Sequence, residues 1–87
     1  MRISGQLELF PNPAHRAFTL RLPALATERT AQVTIFNSLG QPLQSRSLAV
    51  NAAGTQAQVD VASLAAGLYM VRVQAGSQVA VRQLAVE

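Results

Sequence analysis

An 87-residue chain makes one domain, and at that length it buries only roughly 60–65% of its unfolded surface, so its core is thin. The composition is 49% hydrophobic with three Phe, one Tyr and no Trp, which excludes a chain disordered by composition and leaves Val, Leu, Ile and Ala to fill the interior. Seven arginines against four acids give a net charge of +3, but Arg2, Arg16, Arg21, Arg29, Arg46, Arg72 and Arg82 never form a run, which argues against the clustered basic stripe of a nucleic-acid binder.

There is no cysteine, so neither disulfides nor thiolate chemistry is available; this leans towards a cytosolic or bacterial setting. No apolar run approaches ~20 residues, so no helical membrane span is expected. The first eight residues, Met1 to Glu8, lack the apolar stretch of a signal peptide. Either the chain is cytosolic or it is a segment of a longer exported protein.

Hydrophobic alternation with period 2 runs through almost the whole chain, which marks strands with one buried face. The first strand is expected at 7–10, where Leu7 and Leu9 alternate before Pro11-Asn12-Pro13 breaks the run. The second, at 17–22, alternates Phe18, Leu20 and Leu22 with Thr19 and Arg21, and Pro23 ends it because proline cannot donate to a sheet ladder. The third, at 31–37, turns Val33 and Ile35 inward and Phe36 outward, where the Pro42 region or the N-terminal segment would cover it. Asn37-Ser38-Leu39-Gly40 suits a type I turn closed at positive φ, which glycine adopts cheaply.

The fourth strand, at 43–49, is polar and poorly patterned, which places it at a sheet edge. The fifth, at 55–61, alternates Ala57, Val59 and Val61 with Gln56, Gln58 and Asp60. Asp60-Val61-Ala62-Ser63-Leu64 reads as a tight turn whose Asp60 carboxylate accepts N–H bonds from Ala62 or Ser63. After Gly67 the sixth strand, at 68–75, turns Tyr69, Val71 and Val73 one way and Leu68, Met70 and Arg72 the other. Tyr69 is expected to fill the core with its ring while its hydroxyl reaches a backbone group. The last strand, at 78–86, switches phase, since Val79 and Val81 share one parity and Leu84 and Val86 the other. A bulge near Arg82-Gln83 would bring both pairs to the core; otherwise the strand's end is exposed or pairs with a missing element. Seven short strands spaced in this way predict an all-β fold, a seven-stranded antiparallel immunoglobulin-like sandwich.

Reactive constellations are scarce. His15 is the sole histidine and reads as a surface residue in a turn. The acids are Glu8, Glu28, Asp60 and Glu87, with no spacing that pairs two of them and no Asp-rich loop for calcium. No glycine-rich phosphate cradle exists. The expectation is a non-enzymatic domain with no catalytic residues, cofactor or metal. Phe10 and Phe36, both expected on outer faces, are weak signs of a contact surface.

Four stretches together resemble a known family. Leu9-Phe10-Pro11-Asn12-Pro13-Ala14 is similar to an opening aromatic-Pro-Asn-Pro signature. Val33 to Gln41 is similar to a hydrophobic strand running into an Asp/Asn-x-x-Gly-Lys turn. Asp60 to Tyr69 is similar to an Asp-Leu-Ser-x-Leu-x-x-Gly-x-Tyr block, and Val81-Arg82-Gln83-Leu84-Ala85-Val86 to a closing basic-x-apolar-x-Val strand. In this order and spacing, over about Leu7 to Val86, the chain resembles the type A C-terminal sorting domain of type IX secretion substrates of Bacteroidota-like bacteria. It departs from the pattern at Gln41, where the family often carries Lys or Arg, and at Arg82, where it often carries Lys.

The resemblance implies a folded address label at the end of a larger exported protein. Its partners would be outer-membrane translocon and sortase components and a covalently fused N-terminal cargo domain. It would pass through the periplasm to the cell surface or medium and then be removed by a cell-surface sortase. Residues 1–6 would be linker near the cleavage region, with cleavage near or before Ser4-Gly5-Gln6, and residues 7–87 the sorting domain. The signal motif carried over is Pro11, Asn12, Pro13, Gly40, Asp60, Leu64, Gly67, Tyr69, Arg82, Leu84 and Val86. The last strand, with Arg82 in its middle, would be presented to the receptor by strand addition along an exposed edge. The competing reading is an immunoglobulin-like or fibronectin-like adhesion or carbohydrate-binding module, and a third is a structural spacer. Against the sugar-binding reading, the chain has no Trp and one Tyr to form a platform. No nucleic-acid partner is expected, and the oligomeric state stays open.

Overall fold

A computed structural model describes residues 7–24, 29–51 and 53–87. The expected linker at 1–6 and Glu28 lie outside the described residues. The described residues form β1 (Glu8–Phe10), β2 (Ala17–Leu22), β3 (Thr30–Phe36), β4 (Pro42–Ala49), β5 (Thr55–Asp60), β6 (Gly67–Ala75) and β7 (Gln78–Val86). All pair antiparallel in two sheets, one ordered β1-β2-β5 and the other β4-β3-β6-β7. This is the expected immunoglobulin-like sandwich. The fourth strand stands at a sheet edge, as its polar pattern predicts.

Alternation sets the layers. Phe18, Leu20 and Leu22 of β2 and Val59 of β5 point inward from the small sheet. Ala31, Val33 and Ile35 of β3, with Tyr69, Val71, Val73 and Ala75 of β6, meet them from the large sheet. Each fully buried Leu, Ile or Phe contributes roughly 1.5–3 kcal/mol relative to exposure, and Phe18, Leu20, Leu22, Ile35 and Leu84 are the largest of them. β3 departs from strict alternation only where Thr34 is also buried, its hydroxyl 3.3 Å from Ser45 Oγ.

Side chains close one flank of the sandwich. Gln44 and Arg46 sit on the inner side of edge strand β4, opposite Ile35 and Val33. They reach across to β5, where Gln44 Nε2 donates to the Asp60 carbonyl at 3.1 Å and Arg46 Nη1 to the Gln58 carbonyl at 2.9 Å. The polar residues that blurred this strand's pattern therefore bridge the two sheets.

The last strand corrects the sequence reading. β6 and β7 pair without interruption from Ala75↔Gln78 to Gly67↔Val86, so there is no bulge at Arg82-Gln83. Ala80, Leu84 and Val86 are buried and share one parity, whereas Val79 and Val81 are 48% and 44% exposed on the opposite face. The strand's end is buried and its beginning carries the exposed valines. The cause is register: a two-residue connection, Gly76-Ser77, joins the strands, and the inward residues of β6 then dictate which residues of β7 face in.

Candidate recognition surface

The segment between β1 and β2 lies against the outer edge of β7. Asn12 Nδ2 donates to the Gln83 carbonyl at 3.0 Å, and Asn12 Oδ1 accepts from the Ala85 N–H at 3.0 Å. Ala14 N donates to the Ala85 carbonyl and Glu87 N to the Ala14 carbonyl, both at 2.8 Å, which forms a short parallel bridge beside Val86. Ala14 is fully buried. The Phe10-Pro11 and Asn12-Pro13 peptide bonds are cis. The proline-flanked motif thus holds one carboxamide where it serves as a rung of the neighbouring ladder.

The Asp60 turn is built as expected. Asp60 Oδ1 accepts from Ala62 N at 2.8 Å, and Leu64 N donates to the Val61 carbonyl at 3.0 Å. Leu64 is half-buried and packs on the core. The turn brings the Ala65 carbonyl to the Tyr69 hydroxyl, which donates to it, while the Tyr69 ring is 8% exposed. Gly40, at φ 81, closes the turn after β3 and donates to the Asn37 carbonyl at 3.0 Å. Asn37 Oδ1 accepts from Leu39 N and Gln41 N, and Asn37 Nδ2 donates to Gln41 Oε1 at 2.8 Å. The residue that departs from the basic pattern therefore braces its own turn.

These stretches, far apart in sequence, meet at one end of the four-stranded sheet. Tyr69 pairs with Leu84 and Gly67 with Val86. Gly40, Tyr69 and Gln83 line one cleft of about 410 Å³ together with Phe36, Leu68 and Met70. Asn12 is bonded to the two residues flanking Leu84. Pro11 and Pro13 are exposed beside it. Arg82 stands apart, half-buried at the rim, and its Nη1 donates to the Val81 carbonyl at 3.2 Å.

Both aromatics expected on outer faces carry an arginine. Arg21 lies 5.0 Å from the Phe10 ring centroid and pairs with Glu8 at 3.0 Å; Arg72 lies 5.0 Å from the Phe36 centroid. The surface pair is worth about 0–1 kcal/mol. Pro42 is the register partner of Phe36 beyond an irregularity in the β3–β4 pairing. Arg72 and Val79 lie outside the motif stretches, and Ala14 and Val81 lie inside them without being among the signal residues, although pairing the strands across a two-residue Gly76-Ser77 turn would have turned the two valines outward.

Among the described residues no group of three or more His, Cys, Asp or Glu could hold a metal ion, and no helix is long and apolar enough to cross a membrane. His15 is exposed. The chain matches the family described as "Secretion system C-terminal sorting domain" over residues 8–87, and it belongs to that family of type IX sorting signals, which is not an enzyme family. No curated protein matches it.

Proposed function

We propose that the chain is the C-terminal address of a larger exported protein, read as a folded surface by outer-membrane export machinery. Residues 1–6 serve as linker near the cleavage region and residues 7–87 as the sorting domain. The cargo lies N-terminal, passes through the periplasm, and is separated from the domain by a cell-surface sortase. The signal residues are Pro11, Asn12, Pro13, Gly40, Asp60, Leu64, Gly67, Tyr69, Arg82, Leu84 and Val86.

One observation carries this reading: the segment where the domain begins is hydrogen-bonded to the strand where it ends, through Asn12, Gln83 and Ala85. A receptor that grips this end of the sheet therefore tests in one contact that the whole domain has folded. Asp60, Leu64 and Gly40 act through turns that hold Tyr69 and the cleft beside it. Arg82 supplies a guanidinium at the rim, a planar fork of donors suited to a carboxylate.

The test is export of a reporter with a cleavable leader at its start and residues 1–87 at its end, in a host that has the machinery. Deleting Val81–Glu87 is expected to hold the reporter in the periplasm, as is Asn12→Ala in a domain that still folds. Undiminished export of the deletion would remove the terminal strand from the signal.

A further inference from the structure

The edges of the two sheets are protected unequally. β1 is three residues long. Two carbonyls of β5, those of Asp60 and Gln58, are taken by Gln44 and Arg46. β4 carries polar side chains and the irregularity at its Pro42 end. Such short, polar or irregular edges resist pairing with other chains. β7 is different. Its closing pair, Ala75↔Gln78, fixes the alternation, so Val79, Val81, Gln83 and Ala85 turn their N–H and C=O groups away from β6. The Asn12–Ala14 segment takes the Gln83 carbonyl and both groups of Ala85. At Val79 and Val81, among the described residues, only the Val81 carbonyl has a partner on this side, the guanidinium of the adjacent Arg82.

Side chains around this bare stretch are also unusual. On the outer face the β3–β4 half is occupied by its own hydrogen bonds among Gln32, Thr34, Ser45 and Ser47. The β6–β7 half presents Leu68, Met70, Val79 and Val81, all more than a third exposed. Two guanidinia flank Val81: Arg72 is its register partner in β6, and Arg82 follows it in chain. Neither has a carboxylate partner among the described residues, where the ion pair is Arg21–Glu8.

We propose that the Val79–Arg82 edge of β7 accepts an added strand from an extended protein segment of alternating apolar and acidic residues. Its backbone pairs with the outward groups of Val79 and Val81. Its apolar residues fall on the outer face over Val79 and Val81, and an acidic residue falls on the inner side opposite Arg82, where a cross-strand ion pair forms. The charge fixes the register, because a one-residue slip would turn the carboxylate to the outer face and the apolar residues to Arg82. This deepens the proposed export function by naming the chemistry of the reader, and it rests on that reading.

The probe is a capped peptide, Thr-Val-Glu-Val-Glu-Val-Thr, titrated into the 15N-labelled 87-residue chain beside a twin with Lys for Glu. The acidic peptide is expected to bind with a Kd of about 1 mM or tighter, to slow amide exchange at Val79 and Val81, and to outbind its twin by about tenfold. Arg82→Glu is expected to reverse that preference. Val81→Pro removes an outward donor without removing a bond to β6, since edge strands tolerate proline with its nitrogen facing solvent. It should unfold cooperatively like the parent chain and lose the peptide. No binding, equal binding of the twins, perturbation confined to other edges, or response of Val79 and Val81 only to lipopolysaccharide vesicles would overturn the proposal. Loss of reporter export on deleting Val81–Glu87, together with no peptide binding, would sink the strand addition and leave the sorting signal standing.

Discussion

Asn12 Nδ2 donates to the Gln83 carbonyl at 3.0 Å across 71 residues of chain, and the same carboxamide accepts from Ala85 N. A single side chain thus does for the end of β7 what a neighbouring strand would do. Asn12→Ala removes both bonds, at about 0.5–1.5 kcal/mol each, and urea denaturation should show a loss of about 1–3 kcal/mol. Asn12→Asp keeps an acceptor for Ala85 but sets a carboxylate oxygen against the Gln83 carbonyl, so it should be at least as damaging. Hydrogen exchange at Ala85 should quicken in both variants, while exchange in β2 changes only through global unfolding. Unchanged exchange at Ala85 would mean the contact is not held in solution.

Tyr69 combines a nearly buried ring with a hydroxyl that donates to the Ala65 carbonyl. Tyr69→Phe keeps the ring and loses the bond, at about 0.5–1.5 kcal/mol, with the lower end expected because Ala65 is exposed and its carbonyl can turn to water. Tyr69→Ala removes the ring beside Leu84 and should cost about 3–5 kcal/mol. Thermal or denaturant unfolding of the two variants separates the ring's contribution from the hydroxyl's.

How far the sequence reveals the molecule differs from strand to strand. β2 and β6 were legible because each has a face that is apolar without exception, Phe18-Leu20-Leu22 and Tyr69-Val71-Val73. The Asp60 and Asn37 turns were legible because their bonds are local, spanning two to four residues. β7 misled because Val79 and Val81 are apolar and nonetheless exposed, and hydrophobicity alone does not say which face is covered. The Asn12 latch was invisible in another way: its partners are 71 and 73 residues away, and no local pattern encodes such a bond. Of the candidate site, sequence motifs marked the residues, but the register of β6 on β7 and the Asn12 bonds brought Tyr69, Leu84 and Asn12 to one end of a sheet, with Arg82 apart.

Two glycines test how backbone shape constrains turns. Gly54, at φ 107, would place a Cβ 3.1 Å from the backbone carbonyl oxygen of Leu22. Gly54→Ala therefore meets both an unfavourable dihedral and a fixed obstacle, and a loss of about 1–3 kcal/mol is expected. Gly40 has φ 81 but open space around the missing Cβ. Gly40→Ala should cost only the left-handed strain, about 1–2 kcal/mol. Equal losses in denaturant melts would show that the Leu22 contact yields without cost.

The register of β7 can be tested by its side chains alone. If Leu84 faces the core and Val79 does not, truncating them has very different consequences. Leu84 is fully buried opposite Tyr69, so Leu84→Ala should destabilise by about 2–5 kcal/mol. Val79→Ser changes a half-exposed position and should fall within about 0.5 kcal/mol of the parent chain. Val81→Ser should behave like Val79→Ser, because the two share a face. A bulged strand with all four apolar residues inward would instead make every one of these substitutions costly, so a loss above about 2 kcal/mol for Val79→Ser would restore the bulge. Because the outward valines contribute so little to the fold, export or peptide-binding defects in the Val79 and Val81 variants would report on the edge of β7 and not on folding.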